Sequence, residues 1–435
     1  MDSTPQQVPA ASQQADPAAI DHALQALVED AQRPLASLSV LAIRQGQVVY
    51  EAHFGWRSVE QRLPAVGRTL YRIASVSKLV TAIAVMQLVE AGRLALDADV
   101  GEVLGMALRH PAHPHARLTV RMLMSHTSSL RDPDDLLPVA PGQSLQETLG
   151  GAQAQAWWAP EPGRGPGAGW FQYANTNQVV LGTVVERLTG RCFDEQVRAS
   201  VLAPLSIDGG FLPLRDLAPG QESDLATLYR RDVEGRWVPQ GPDRTGVRTA
   251  PMWPLDDYVP GRNAALFGPQ GAMRVSVPGL GRLMRALMGG GALEGVRILR
   301  EETVRAMFES QWRFRADGAD GNGHDQDQDQ DQDHADDHAD GHASGNGNTH
   351  HGLFQEWGLG VQRFGALPGG LTGVGHLGQA WGLLSGFVFD PATAGGVVYA
   401  MGGTSAEPED HPGLHSPFAR WEERVLELLG PLTRG

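Results

Sequence analysis

The stretch Tyr71-Arg72-Ile73-Ala74-Ser75-Val76-Ser77-Lys78, running on into Leu79-Val80-Thr81-Ala82-Ile83-Ala84-Val85-Met86-Gln87-Leu88-Val89-Glu90-Ala91, decides how the chain reads. Apolar residues fall on nearly every side of the helix expected from about Ser75 to Ala91, so that helix should be buried rather than amphipathic. Gly92 is placed to end it. Ser75 and Lys78 stand three apart at its start, one turn apart on a shared face. A serine there feels the positive end of the helix dipole, and its backbone N–H points at any bound anion. A lysine in an apolar wall can lose its proton and activate that serine. The alternative is a serine capping a helix, with a solvated lysine one turn on.

The composition favours the first alternative. Of the 35 basic residues, 34 are Arg and one is Lys, at position 78. Arginine does not deprotonate in proteins, whereas a buried lysine can serve as a base. A lone lysine among arginines marks a position where arginine does not do.

Working outward, residues 18 to 31 place Ile20, Leu24, Leu27 and Val28 on one helical face. Leu38–Arg44 and Gln47–Phe54 read as a hairpin turning at Gln45-Gly46. Leu118–Met124, Gln178–Thr189 (ended by Gly190), Leu280–Met288, Glu301–Gln311 and Ser416–Leu429 read as helical, and Leu359–Phe364, Leu383–Asp390 and Gly396–Met401 as strands. Strands at both ends and helices between them predict an α+β fold. It is an antiparallel sheet flanked by helices, built from 18–97 and 266–435, with a mainly helical domain at 98–265 inserted. Residues 1–17, rich in Gln, Pro, Ala and Ser, read as a disordered terminus.

Residues Asp317–His351 hold ten Asp, six His and no Lys or Arg, so this tract carries ten of the fifteen net negative charges. Its Asp-Gln repeats cannot bury enough apolar area to fold, which predicts a disordered insertion. Its concentrated Asp and His suit weak divalent-metal binding but imply no catalytic role. The acidity is local and says little about a substrate, but a formal charge of −15 and a pI near 5.4 argue against a nucleic-acid binder, which normally shows a basic face. No apolar run is long enough to span a membrane. One cysteine, Cys192, excludes an intramolecular disulfide and a Cys-based zinc site. The opening residues lack a basic n-region and an apolar h-region, which reads as cytoplasmic; a mature exported chain fits the same opening.

Two further stretches carry chemistry. Tyr173-Ala174-Asn175 follows the Gly- and Pro-rich loop 162–169, and a Tyr and an Asn two apart in an extended segment point the same way. A phenol beside a lysine can act as a base, and an amide can hold a substrate carbonyl. An ordinary loop-to-helix junction capped by Asn175 or Thr176 is the plainer account. Gly375-His376-Leu377-Gly378-Gln379 precedes a strand, and a glycine at a strand edge lets a substrate backbone approach. His376 read alone is as well a buried structural histidine. Gly373–Gly378 also matches G-x-G-x-x-G, but without a following helix it does not specify a dinucleotide site.

Taken in order, S-x-x-K, Y-x-N about a hundred residues later and H-x-G near the end resemble the serine β-lactamase and penicillin-binding-protein superfamily. Within it the chain is similar to the β-lactamase-related serine hydrolases: class C β-lactamases, family VIII carboxylesterases and D-aminopeptidase or D,D-peptidase relatives. Leu88–Leu94, Leu118–Leu130 and Phe171–Asn177 read like blocks of the same family, and the resemblance covers about residues 35 to 405. It implies the β-lactamase/transpeptidase-like fold, no cofactor and no metal. It also implies that Ser75 is acylated, that Lys78 and Tyr173 are the general-base pair, and that Asn175 binds the acyl side chain. His376 would replace the lysine of the third motif and line the strand edge with Gly378. The N–H groups of Ser75 and Gln379 would form the oxyanion hole. Ser129 stands where many relatives have Gly, and His126 reads as a helix-packing residue. A His in place of Lys puts β-lactam hydrolysis behind ester and D-amino-acid peptide or amide substrates. The rival functions are a non-catalytic binding protein on the same fold and a metal-buffering protein acting through the Asp/His tract. Oligomeric state is not readable.

Overall fold

A computed structural model describes residues 16–133, 143–151, 154–160, 163–241, 243–248, 254–314, 352–404 and 411–434. The expected disordered segments therefore lie outside the described residues, apart from Asp16 and Pro17. Those two begin helix α1 (Pro17–Val28): Asp16 caps it through its side chain and Pro17 takes the first turn.

Among the described residues the main sheet has nine antiparallel strands. In chain order they are β1 (Ser37–Arg44), β2 (Gln47–Ser58), β3 (Leu63–Pro64), β4 (Trp312–Arg313), β5 (Glu356–Trp357), β6 (Gln362–Phe364), β7 (Gly373–Ala380), β8 (Leu383–Asp390) and β9 (Gly395–Gly402). Across the sheet they run β4-β5-β6-β7-β8-β9-β1-β2-β3, so the first strand pairs with the last, Ser37 opposite Gly402. The β1–β2 turn at Gln45-Gly46 has positive φ at both residues (50° and 72°), the twist a two-residue hairpin needs.

Helices cover both faces, which explains why the central strands are continuous apolar runs rather than alternating ones. Along β1, Leu38, Val40 and Ala42 pack into one core with α1 and the C-terminal helix Arg420–Leu429. Leu41 and Ile43, pointing the other way, join a second core with α2 (Ser77–Glu90), α4 (Asn175–Thr189) and Val277–Met288. Helix α3 (Val120–Met124), capped by Thr119, packs into that second core as well. The second core runs without a break from the sheet into the helical residues between 98 and 265.

Helix α2 is buried nearly all round, and Gly92 at φ 65° follows its C-terminus. Several boundaries differ from expectation. A 3-10 turn, Ala74–Val76, precedes α2, so Ser75 sits on the turn rather than in the α-helix. The Gly-rich run that carries His376, expected only to precede a strand, is itself the strand β7, paired with both β6 and β8. Among the described residues no helix is long and apolar enough to cross a membrane.

Candidate active site

The site is held where α2, α4 and β7 meet. The entry to Ser75 is fixed by a small sheet in which Arg274–Val275 lies between Tyr71–Arg72 and Gly209–Gly210. Ile73 N–H donates to the Met273 carbonyl (3.0 Å), and Ala74 takes a left-handed φ of 43°. That tight turn sets Ser75 on the 3-10 turn leading into α2. The loop just before Arg274 clasps α2: Met273 N–H donates to Ser77 Oγ (3.2 Å) and Thr81 Oγ1 donates to the Pro269 carbonyl (2.8 Å).

Lys78 is fully buried. Its Nζ lies 2.8 Å from Ser75 Oγ, 2.7 Å from Asn175 Oδ1 and 2.9 Å from the Gln270 carbonyl oxygen. Burial pulls its pKa from 10.5 down to about 7, against a smaller opposing pull from Asp132. A neutral amine has two hydrogens and one lone pair. Two of its three neighbours, Asn175 Oδ1 and the Gln270 carbonyl, can only accept. They take the two hydrogens and leave the lone pair facing the Ser75 hydroxyl.

Tyr173 hydrogen-bonds to Ser75, and Lys78 Nζ sits 4.8 Å from its ring centre. Burial drives the phenol well above its usual pKa, Asp132 adds to this, and only the Ser75 hydrogen bond opposes it, so Tyr173 is protonated. Its ring stacks on His126 (4.6 Å, 30°) and Phe354 (5.1 Å, 28°). His126, read as a helix-packing residue rather than a catalytic one, is fully buried just past the end of α3 at φ 57°. Its Nδ1 accepts from Ala174 N–H (3.2 Å) and the Asn177 amide (2.9 Å), so it orients the Tyr173 segment. Ser129 lies nearby at φ 68°, a conformation glycine adopts at lower cost.

Asn175 is not in an extended segment; it is the first residue of α4. Neither Asn175 nor Thr176 caps that helix through its own side chain. The Asp132 carboxylate does so, accepting from the N–H groups of Asn175 (2.7 Å) and Thr176 (2.9 Å) and from Thr176 Oγ1 (2.8 Å). Sequence reasoning missed Asp132 because the cap comes from 43 residues upstream. No local signal pointed to it, since Asn175 and Thr176 both read as caps of their own helix. The Gln270 carbonyl was missed too, being backbone.

Strand β7 closes the site. A Cβ on Gly378 would sit 2.5 Å from the Ile73 carbonyl oxygen and 3.1 Å from Ser75 N, and would run into the Ser385 hydroxyl. Only glycine lets the strand lie this close to the serine. Ser385 Oγ donates to Ile73 O (2.8 Å) from the neighbouring strand. Gln379 follows on the edge with its side chain exposed, its register partner being Leu384. His376 shares the Gly378 face of the strand and is 2% exposed. Burial, and then Lys78, push its pKa down to about 3, so it is a neutral imidazole and not a cation. The structure thus brings together Ser75, Lys78, Tyr173 and Asn175, with Gly378 and His376 alongside. Among the described residues no group of three or more His, Cys, Asp or Glu gathers into a metal-binding set.

Comparison with known proteins follows this geometry. The Beta-lactamase family profile matches residues 20–415, and the chain belongs to that family. Esterase EstB of Burkholderia gladioli is 32% identical over 269 residues, covering 58% of this chain and 68% of that protein. Penicillin-binding protein 4* of Bacillus subtilis is 26% identical over 202 residues, covering 45% of this chain but only 42% of its own length. Among solved structures, the D-amino acid amidase of Ochrobactrum anthropi SV3 with D-phenylalanine shares the fold. Its TM-score is 0.61 at 18% identity, over 94% of this chain and 98% of that one. An octameric penicillin-binding protein homologue from Pyrococcus abyssi has a TM-score of 0.63 at 23% identity, over 94% and 77% of the two chains.

Proposed function

We propose that the protein is a serine hydrolase that cleaves an ester or amide through an acyl-enzyme on Ser75. The observation that carries this is the environment of Lys78. A buried amine whose pKa is drawn down to about 7 lies 2.8 Å from a serine hydroxyl, and in its neutral form directs its lone pair at it. In the reaction, the Ser75 proton passes to Lys78 Nζ as Oγ bonds to the substrate carbonyl carbon. The oxyanion is held by the N–H groups of Ser75 and Gln379, each such donor giving roughly 10²–10³ in rate. Tyr173, protonated and bonded to Ser75, hands a proton to the departing group and is reprotonated from Lys78. Water then attacks the ester carbonyl as Lys78 takes its proton; the acyl carbon–Oγ bond breaks, the carboxylic acid leaves and Lys78 returns the proton to Ser75 Oγ. This division makes Lys78 the base and Tyr173 the acid.

Esters and D-amino-acid peptides or amides are preferred over β-lactams. The neutral His376 supplies no positive charge for a β-lactam carboxylate. Intact mass after exposure to a fluorophosphonate, with peptide mapping, tests the mechanism. One stoichiometric adduct on Ser75, absent in Ser75→Ala, is expected. Unaltered labelling or turnover in Ser75→Ala overturns the assignment.

A further inference from the structure

Glu186, on α4, is a fully buried carboxyl that the proposed reaction does not use. Its oxygens accept from Phe193 N–H (2.9 Å), Gly261 N–H (2.9 Å) and the Tyr258 hydroxyl (2.6 Å), and among the described residues no cation pairs with it. A carboxyl buried without a cation costs stability that an apolar residue would not, so its retention calls for an explanation.

Two of its three donors belong to one segment, residues 258–270, which runs back along α4 toward the serine. Tyr258 and Gly261 bind Glu186, Ala264 N–H donates to Thr183 Oγ1 (2.9 Å), the Pro269 carbonyl accepts from Thr81 (2.8 Å), and the Gln270 carbonyl accepts from Lys78 Nζ (2.9 Å). The fit is close. A Cβ on Gly182 would sit 2.8 Å from Pro269 Cγ and 3.2 Å from Ala264 Cβ, and one on Gly261 would sit 2.8 Å from Arg187 Cα. Helix α4 thus gives Lys78 one partner directly, Asn175, and a second through the segment seated on it.

The titratable groups facing Glu186 are Tyr258, Asp194 (itself paired with Arg215) and, through Tyr258, Cys192. Those facing Lys78 are Asp132, Tyr173 and His376. Burial lifts the Glu186 carboxyl to about 7, and either of its proton states closes the network. Ionised, it accepts from the phenol. Protonated, it donates to the phenol oxygen, and the phenol donates to the Asn263 carbonyl (2.9 Å). The clasp therefore holds across the range in which Lys78 titrates.

We infer that Glu186 is a positioning residue for acylation: it seats residues 258–270 on α4 so that this segment presents the Gln270 carbonyl to the Lys78 amine and seals that amine from water. The inference rests on the reading of Lys78 as the base and concerns what keeps the base fit for its task. Burial is the first cause of the depressed Lys78 pKa, so loosening the segment should let that pKa rise.

The chain has one lysine, so protein labelled with carbon-13 at lysine Cε gives a single lysine signal, and its pH titration by NMR reads Lys78 directly. The wild-type midpoint should fall near 7. Glu186→Leu should raise it by about one pH unit, and Thr183→Val, which changes no charge, by about half as much. Stopped-flow acylation by Glu186→Leu should then be about tenfold slower than wild type at pH 6 and within about twofold of it at pH 9. Glu186→Gln, whose amide accepts and donates in the same place, should keep the midpoint within about 0.3 pH units of wild type. Leu24→Ala, which loosens the core on the other face of the sheet, should leave it unmoved. If Glu186→Leu does not fold, Thr183→Val decides. An unmoved or lowered midpoint in these two variants overturns the inference, and so does an equal rise in Leu24→Ala. Both results leave the wild-type midpoint near 7 and the Lys78 reading intact, whereas a wild-type lysine titrating near its ordinary 10.5 overturns the two together.

Discussion

Lys78 is held near pKa 7 by its burial, and the consequences for rate and stability have opposite signs. As a base it acts only without its proton. With a pKa of about 7, roughly a tenth of the molecules are competent at pH 6 and nine-tenths at pH 8. The rate of Ser75 acylation should rise about tenfold per pH unit below 6, about fivefold from 6 to 7, and level off above 8. Lys78→Arg replaces the base by a guanidinium that stays protonated, so the acylation rate should fall by about 10⁴ or more across this range. The same depressed pKa costs stability. The unfolded chain binds a proton with a pKa near 10.5 that the folded chain binds only below about 7. The difference amounts to roughly 5 kcal/mol, present in full below pH 7 and vanishing as pH rises toward 10.5. Lys78→Met removes that cost but strands Asn175 Oδ1 and the Gln270 carbonyl, at roughly 1–3 kcal/mol each. The net change at pH 7 is therefore small, and the slope is the diagnostic. Wild-type stability should climb relative to Lys78→Met between pH 7 and 10, by several kcal/mol, and run parallel to it below pH 7. Stopped-flow acylation from pH 5.5 to 9, with urea unfolding of both proteins at pH 6, 7, 8.5 and 10, reads both effects. A flat acylation rate between pH 6 and 8, or parallel stability curves above pH 7, would refute the neutral-amine account.

Three further outcomes follow from the same geometry. Tyr173→Phe keeps the ring stacked on His126 and Phe354 but removes the hydroxyl at Ser75, so kcat should fall about 10²–10⁴ with unfolding unchanged within about 1 kcal/mol. Gly378→Ala drives a methyl into the Ile73 carbonyl and toward Ser75 N, and should cost about 2–4 kcal/mol and most of the activity by chemical denaturation and ester turnover; wild-type-like values would show that β7 does not press on the serine. Asp132→Ala uncaps α4, costing about 1–2 kcal/mol, and removes the charge that props up the Lys78 pKa, so the acidic limb of the acylation profile should move to lower pH.

The helix after Ser75 was legible because its burial is written into its residues, apolar on almost every side from Leu79 to Val89. The terminal hairpin and the strands β8 and β9 were legible for the same reason: both faces are covered, so they read as apolar runs. Strand β7 was not. Gly373, Gly375 and Gly378 give it poor strand propensity, and its extended form comes from pairing with β6 and β8. The motifs supplied Ser75, Lys78 and Tyr173 as residue types, but not the arrangement that sets their proton states. That depends on Asp132, 43 residues from the helix it caps, and on a carbonyl at Gln270, 192 residues from the amine it binds. The neutrality of His376 was equally invisible, because it follows from how deeply β7 packs.

The 34-to-1 ratio of arginine to lysine takes on meaning against this structure. Among the described residues arginines serve fixed partners: buried Arg274 on Asp243 (2.6 Å), buried Arg57 on the Ser223 and Pro64 carbonyls (3.0 and 2.6 Å), and half-buried Arg109 gripping both oxygens of Asp99 (3.0 and 2.7 Å). The rigid guanidinium fork suits that use, because it presents several donors and never loses its charge. At position 78 both properties are faults. Asn175 and Gln270 accept two hydrogens and the serine must find a lone pair, which a guanidinium does not offer. A permanent charge there would also be buried with only the partly distant Asp132 to balance it. Substituting arginine elsewhere in the protein is tolerable wherever a cation is wanted, whereas position 78 requires a cation that can cease to be one. That requirement singles out lysine on chemical grounds, and it ties the one lysine in the composition to the residue that must take up and give back the serine proton in the proposed reaction.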